Sequence, residues 1–410
     1  MYQNLLHDKL EKLKSSGQYR NFTYLNRICG QYPLAKLRDE KNKSVIVWCS
    51  NDYLGMSENS IVLQEMHNAI DNYGAGSGGS RNISGSYGIY SELESEIAQW
   101  HKKEAALVFP TGYSSNDATI QCLLRLFPEL VVISDEHNHA SIVNGIRATK
   151  NSREIFKHND VGHLEEILKK YPYSRPKIII FESIYSMDGD ISPVEEIVHL
   201  AKKYNSLTYI DEVHAIGIYG HEGAGISSER NISDMIDIIQ GTMAKSIGII
   251  GGYIAASHII IDAIRSFSTG FIFTTSLPPS ITAGCLTSIR YIKEHNHLRE
   301  KLHFNTSLIR ALFKEKNIPL MSCSQTHILP VMVGNAQDCR NAAERLLQVY
   351  NIYIQPINYP SVPMGTERFR INATPKHTLE QIEKLADSIQ EVFQYFKIHP
   401  VSKQTKQEET

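Results

Sequence analysis

The chain has 410 residues, and its 42 Lys plus Arg against 44 Asp plus Glu give a formal charge of −2. With no basic surplus, electrostatic wrapping of nucleic acid is not expected. A composition of 42% hydrophobic and 21% charged residues argues against disordered, collagen-like and membrane proteins, and the length predicts two or three domains around a large core.

In chain order, the N-terminal stretch MYQNLLHDKLEKLKSS reads as an amphipathic helix. It carries acidic residues and lacks an apolar signal segment, so no secretory or transit peptide is expected and the cytoplasm is the expected address. The cysteines (Cys29, Cys49, Cys122, Cys285, Cys323, Cys339) are scattered with no CxxC pair. Neither a disulfide framework nor a metal site is expected, and a reducing compartment fits. Short apolar runs rich in β-branched residues follow at 45–49, 105–109, 130–134, 177–182, 207–211 and 251–256. Between them lie helical patterns such as 61–72, 91–101 and 194–204. Buried strands alternating with helices predict an α/β fold with a large, mostly parallel sheet covered on both faces.

The apolar stretch 238–261 is long enough to span a membrane, but its glycines, Gln240, Lys245 and His258 favour two buried strands joined by a turn. Past Pro278–Pro279 a helical tract, 280–316, leads into short strands at 327–333, 353–356 and 368–372 and a final helix at 379–396. This predicts a smaller C-terminal α+β domain. The expected boundaries are 1–45 for an N-terminal helix and arm, 46–290 for the large domain, 291–398 for the small domain and 399–410 for a disordered polar tail. No internal repeat is present.

Lys245 is the only formally charged side chain between Asp237 and Asp262, in GTMAKSIGIIGG. Surface lysines sit in charge mosaics; an apolar, Gly-rich setting instead desolvates the amine and makes it a nucleophile suited to a Schiff base. Asp211 and His214 end the apolar run in Tyr-Ile-Asp-Glu-Val-His. One reading is a helix cap plus a core histidine. The other is an acid for a protonated pyridine nitrogen and an imidazole for a phenolate on the same ring. A metal site is weaker, since further ligands are lacking. Gly74–Gly79 matches GxGxxG, but it follows a helical pattern and no helix starts until about Ser91, so a long loop passing close to a ligand is expected. His139 follows a strand in SDEHNH and could offer its face to a flat ring. Tyr113 follows another strand, where backbone N–H groups could meet a phosphate. Arg368 and Arg370 point the same way from a strand, as a carboxylate clamp or as a solvated face.

Taken together, 47–55 (VWCSNDYLG), 74–85 (GAGSGGSRNISG), 185–190 (YSMDGD), 211–217 (DEVHAIG), 242–245 (TMAK) and 274–279 (TTSLPP) resemble the α-oxoamine synthases, pyridoxal-phosphate enzymes of the aspartate-aminotransferase fold. The likeness runs from about Gly17 to Lys397. It implies Lys245 as the covalent lysine, Asp211 at the pyridine nitrogen, His214 at the ring oxygen and His139 stacked on the ring. Ser186 and Tyr113 are implied as cofactor contacts and Thr242 as a phosphate ligand. Thr274 and Thr275 are implied phosphate ligands from the other subunit of a homodimer whose site lies at the interface. The resemblance further implies Asn51 and Arg370 for the carboxylate of glycine. Arg20, Ser80 and Asn82 are implied for the succinyl end of succinyl-CoA, with Ser134, Arg153 and Ser361 as further substrate contacts. Arg20 suits a second carboxylate, whereas sister enzymes take acetyl, pimeloyl or long-chain acyl groups. The chain departs from the pattern at Ser80, usually Thr, and Tyr90, usually His, and it has no Cys-Pro dipeptide of the haem-regulatory kind.

Overall fold

A computed structural model describes residues 1–16, 18–19, 22–38 and 43–398. Arg20 and the tail expected at 399–410 lie outside the described residues. The chain splits into two compact units, one of Asn51–Ser186 with Asp190–Glu300, the other of Met1–Ser50 with Met187–Gly189 and Lys301–Thr410. Numbered along the chain, the strands are β1 (Leu25–Arg27), β2 (Leu34–Leu37), β3 (Ser44–Val47), β4 (Ala105–Phe109), β5 (Val131–Asp135), β6 (Arg153–Phe156), β7 (Lys177–Glu182), β8 (Leu207–Asp211), β9 (Ile238–Thr242), β10 (Gly252–Ala256), β11 (Ile328–Met332), β12 (Ile352–Tyr353), β13 (Pro356–Ile357) and β14 (Arg368–Asn372).

The larger unit is built on a seven-stranded sheet in the order β4-β10-β9-β8-β7-β5-β6. Strands β6, β5, β7, β8 and β9 pair in parallel, and β10 runs antiparallel to both β9 and β4. Every residue of β5, β7, β9 and β10 is buried. That is why these strands read as unbroken apolar runs rather than alternating ones. One core layer packs Phe109, Val132, Ile178, Ile180 and Ile254 of the sheet with Ile120, Leu124 and Ile142. The last three lie on the helices Gly112–Leu126 and Ala140–Arg147. Burial of each such side chain is worth about 1.5–3 kcal/mol. The 238–261 stretch forms β9, a turn and β10 and then enters the helix His258–Phe267. No described helix is long and apolar enough to cross a membrane.

The helical tract expected over 280–316 is two helices, Pro279–Glu294 and Asn296–Glu315. The break falls at His295, whose ring stacks on Tyr291 (3.7 Å between centroids) and whose Nδ1 bonds the Tyr291 carbonyl (2.7 Å). A side chain that engages a carbonyl in the last turn competes with continued helix.

The smaller unit holds two sheets, β1-β2-β3-β12 and β11-β14-β13. Strand β12 pairs in parallel with β3, Ile352 opposite Ile46 and Tyr353 opposite Val47. Through that pairing the arm falls in the same unit as 301–398, whereas the sequence reading placed boundaries at 45/46 and 290/291. The helix Tyr2–Ser15 forms as expected and buries none of its residues.

Candidate active site

Strands β7 and β8 end side by side, with Glu182 in register with Asp211, and Asp211 lies opposite Gln240 on β9. These are the carboxyl ends of parallel strands, where open α/β sheets gather ligands. Asp211 is buried; its Oδ1 accepts the Val213 N–H (2.9 Å) and its Oδ2 accepts from Asn116 Nδ2 (2.8 Å). Asn116 is carried there by the helix Gly112–Leu126, which Thr111 starts with a capping box to Ser114. The other amide N–H of Asn116 meets Ser141 Oγ (3.0 Å), and its Oδ1 accepts the Tyr209 hydroxyl (2.8 Å).

His139 caps the helix Ala140–Arg147, its Nδ1 accepting the Ser141 N–H (3.2 Å) and lying 2.8 Å from Ser141 Oγ. Its own backbone N–H donates to Glu182 Oε1 (2.6 Å), and the Tyr113 ring meets it edge-on at 6.4 Å. Desolvation holds the imidazole below its ordinary pKa; Asp211 pulls it up and Lys245 pushes it further down. Burial, then the charge of Asp211, raises Glu182 well above the carboxylate range. Burial and the neighbouring Asp211 thus both disfavour the ionised form of Glu182. Lys245 is half-buried just beyond β9, in a turn closed by the Gly248 N–H on the Lys245 carbonyl (2.8 Å). Its charge acts on both His139 and Glu182, which puts the isolated lysine in the same cluster as Asp211.

His214 is buried, and its Nδ1 bonds the Tyr53 hydroxyl (2.8 Å), which also lies 3.2 Å from Asn51 Oδ1. Thr242 donates its hydroxyl to the Gly251 carbonyl (2.9 Å) and accepts the Ala244 N–H (3.2 Å). A Cβ on Gly112 would stand 2.9 Å from Thr242 Oγ1, so the start of the helix approaches Thr242 as only bare backbone allows. Helix N–H groups beside a hydroxyl make a cradle suited to a phosphate. Ser186 is half-buried at the end of the β7 loop.

Other residues singled out in the sequence lie in different surroundings. The Gly74–Gly79 segment belongs to a loop with no helix before Gly88. In it Ser80 bridges to Thr275, and Ser276 donates its N–H (3.1 Å) and hydroxyl (2.9 Å) to the Gly79 carbonyl. Ser80, exposed Asn82, Thr274 and exposed Thr275 thus share one surface. Ser134 is buried at the end of β5, and its Oγ accepts from Asn138 (2.9 Å). Arg153 is exposed at the start of edge strand β6, opposite Val132. Arg370 is buried on β14 and Ser361 is exposed, both in the smaller unit. Arg368, paired with Arg370 in the sequence reading, is committed to Asp188 (2.7 Å). Tyr90 is structural: its hydroxyl accepts the Leu277 N–H (2.6 Å) and donates to the Leu277 carbonyl (3.2 Å), with Arg81 over its ring at 4.0 Å.

Sequence reasoning passed over Asn116, Ser141, Glu182 and Tyr53. Two carried a signal: Asn116 lies three residues beyond Tyr113, on the same helix face, and Glu182 is an acid directly after the apolar run 178–181.

The family model for aminotransferase class I and II matches residues 43–389. The 5-aminolevulinate synthase of Rickettsia bellii is 48% identical over 96% of this chain and 94% of that protein. The Paracoccus denitrificans 5-aminolevulinate synthase is 45% identical over 97% of this chain and 98% of its own length. Among solved structures, a variant of SPT with PLP superposes with a TM-score of 0.89 at 29% identity over 96% of this chain and 98% of that one. The Sphingomonas wittichii serine palmitoyltransferase gives 0.87 at 26% identity, over 97% and 98%. Continuous similarity of this extent, on a sheet of this topology with a lysine beyond β9 and a buried aspartate ending β8, makes the chain a member of the aminotransferase class I and II family, among its 5-aminolevulinate synthases.

Proposed function

We propose that this chain condenses glycine with succinyl-CoA, giving 5-aminolevulinate, CoA and carbon dioxide, with pyridoxal 5′-phosphate as cofactor. The observation that carries the reading is the convergence of Asp211 and Lys245 on His139 and Glu182 at the carboxyl ends of the parallel strands. The residues present fit that cofactor: an amine for its aldehyde, a buried carboxylate for its ring nitrogen, and at Gly112 and Thr242 a cradle that a Cβ would fill. When bound, the cofactor supplies an electron sink for the carbanion formed at the glycine Cα.

The chain's own residues do the rest. Asp211, its two oxygens fixed by Val213 N–H and Asn116, holds a proton at the ring nitrogen. Lys245 Nζ anchors the cofactor, takes the proton from glycine Cα and returns one to the product. His139 would cover one face of the ring, with Tyr113 and Ser186 as further contacts. His214, oriented by Tyr53, serves the ring oxygen. Thr242 holds the phosphate, together with Thr274 and Thr275 lent by a second copy of the chain, so the functional unit is a homodimer. The family resemblance assigns Asn51 and Arg370 to the glycine carboxylate. The same resemblance assigns Arg20, Ser80 and Asn82 to the free acid of the succinyl group, and Ser134, Arg153 and Ser361 to the rest of the acyl-CoA. The cytoplasm is the proposed compartment.

Assay of glycine with a panel of acyl-CoAs tests the substrate. Succinyl-CoA should be preferred; a preference for acetyl- or pimeloyl-CoA would instead assign a sister activity, 2-amino-3-ketobutyrate CoA ligase or 8-amino-7-oxononanoate synthase.

A further inference from the structure

The buried side chains behind the cluster fix where protons sit. Asn116 has two amide hydrogens and both are committed, one to Asp211 Oδ2 (2.8 Å) and one to Ser141 Oγ (3.0 Å). The amide cannot be reversed: that would set its oxygen against the Asp211 carboxylate and leave the Tyr209 hydroxyl, 2.8 Å from Oδ1, facing an NH₂ group. Ser141 Oγ therefore receives a proton from Asn116 and has one of its own to give. Its other neighbour is His139 Nδ1, at 2.8 Å. That nitrogen also accepts the Ser141 backbone N–H (3.2 Å). A ring nitrogen whose lone pair accepts a backbone N–H carries no proton.

We propose that Asn116 is a positioning residue that, through Ser141, locks His139 in the neutral tautomer protonated at Nε2, while the same amide anchors Asp211. The chain Tyr209–Asn116–Ser141–His139 runs from the sheet to the imidazole with every donor matched to an acceptor, and Asp211 is a branch of it. The Glu182 side chain fixes the His139 main chain from the opposite side. The charged or titratable groups around the ring are Asp211, Lys245, Glu182 and Tyr113. Loss of solvent around the ring and the nearby Lys245 charge favour the same neutral form. The consequence is specific. The face offered to the cofactor ring is an uncharged imidazole. The Nε2–H is a donor of fixed direction.

The inference rests on the pyridoxal-phosphate reading for its purpose but not for its test. Histidine-selective 15N NMR of the full chain, without and with added pyridoxal phosphate and with His139→Gln for assignment, should show an unprotonated Nδ1 and a protonated Nε2 in both samples. A protonated Nδ1 in the wild-type chain would overturn the proposal. Failure of the protein to take up pyridoxal phosphate would instead count against the functional reading and leave the tautomer result standing. Asn116→Leu keeps the volume and removes the donors. It should give mixed tautomers and weaken pyridoxal phosphate binding about tenfold to a hundredfold, the effect of losing a hydrogen bond to a charged group. Ser141→Ala should release the tautomer while changing cofactor affinity by less than about threefold, because the Asn116 contact to Asp211 persists. If Asn116→Leu left both tautomer and affinity at wild-type values, the network would be packing alone. Should that variant not fold, the wild-type tautomer decides.

Discussion

His158 gives the most quantitative prediction. Its Nδ1 lies 2.9 Å from Asp135 Oδ1 and its Nε2 2.8 Å from Asp190 Oδ2, with the side chain 17% exposed. Burial by itself lowers its pKa, but hydrogen bonds to the two carboxylates, and then their charges, outweigh burial and raise it from 6.5 to about 10. The folded value lies above the unfolded one, so the stabilisation is complete below pH 6.5 and disappears as the pH rises through about 10. At about 1.4 kcal/mol for each pH unit, the ceiling is about 5 kcal/mol; partial exposure brings the expectation to roughly 2–4 kcal/mol. The clamp bears on the site because Asp135 also accepts the His137 N–H (2.8 Å), at the start of the turn that presents His139. His158→Gln removes the cation and leaves both carboxylates. Urea unfolding of cofactor-free wild type and variant should show a gap of roughly 2–4 kcal/mol at pH 6.5 that closes toward pH 10. A gap of constant size across that window would refute the charged-clamp argument and reduce His158 to a packing residue.

Two further outcomes follow from close contacts. Gly112→Ala brings a Cβ to 2.9 Å from Thr242 Oγ1, and this overpacking should destabilise the cofactor-free protein by about 1–2 kcal/mol in urea unfolding and, by displacing Thr242, weaken pyridoxal phosphate binding in a fluorescence titration. Tyr90→Phe leaves the Leu277 N–H without its 2.6 Å acceptor, so calorimetry should record a loss of about 1–3 kcal/mol.

How much was legible depended on what kind of information a residue carries. The buried strands were readable to within a residue or two because a parallel sheet covered on both faces demands unbroken apolar runs, as in β7 and β8. Lys245 stood out because nothing else charged lies near it in sequence. The GxGxxG match was open to rejection for want of a following helix, and the loop up to Gly88 agrees. By contrast, the helix break at His295 carries no Gly or Pro and depends on a ring stacking on Tyr291. The pairing of β3 with β12 joins segments far apart in the chain, which local periodicity cannot reveal. Ser141 was missed because a polar residue in a buried pattern acquires meaning only from the partner that folding brings to it, and the sequence signals at Asn116 and Glu182 named no partner. Tyr90 shows the reverse: a departure conspicuous in sequence whose hydroxyl simply ties a helix to the Leu277 backbone.

The central claim is that Lys245 carries the cofactor. Borohydride reduction of the protein loaded with pyridoxal phosphate, followed by peptide mass spectrometry, tests it directly. The account predicts one pyridoxyl label, on the peptide containing Lys245, and none after Lys245→Ala in a protein that still folds. A label on another lysine, or an undiminished label in the variant, would contradict it.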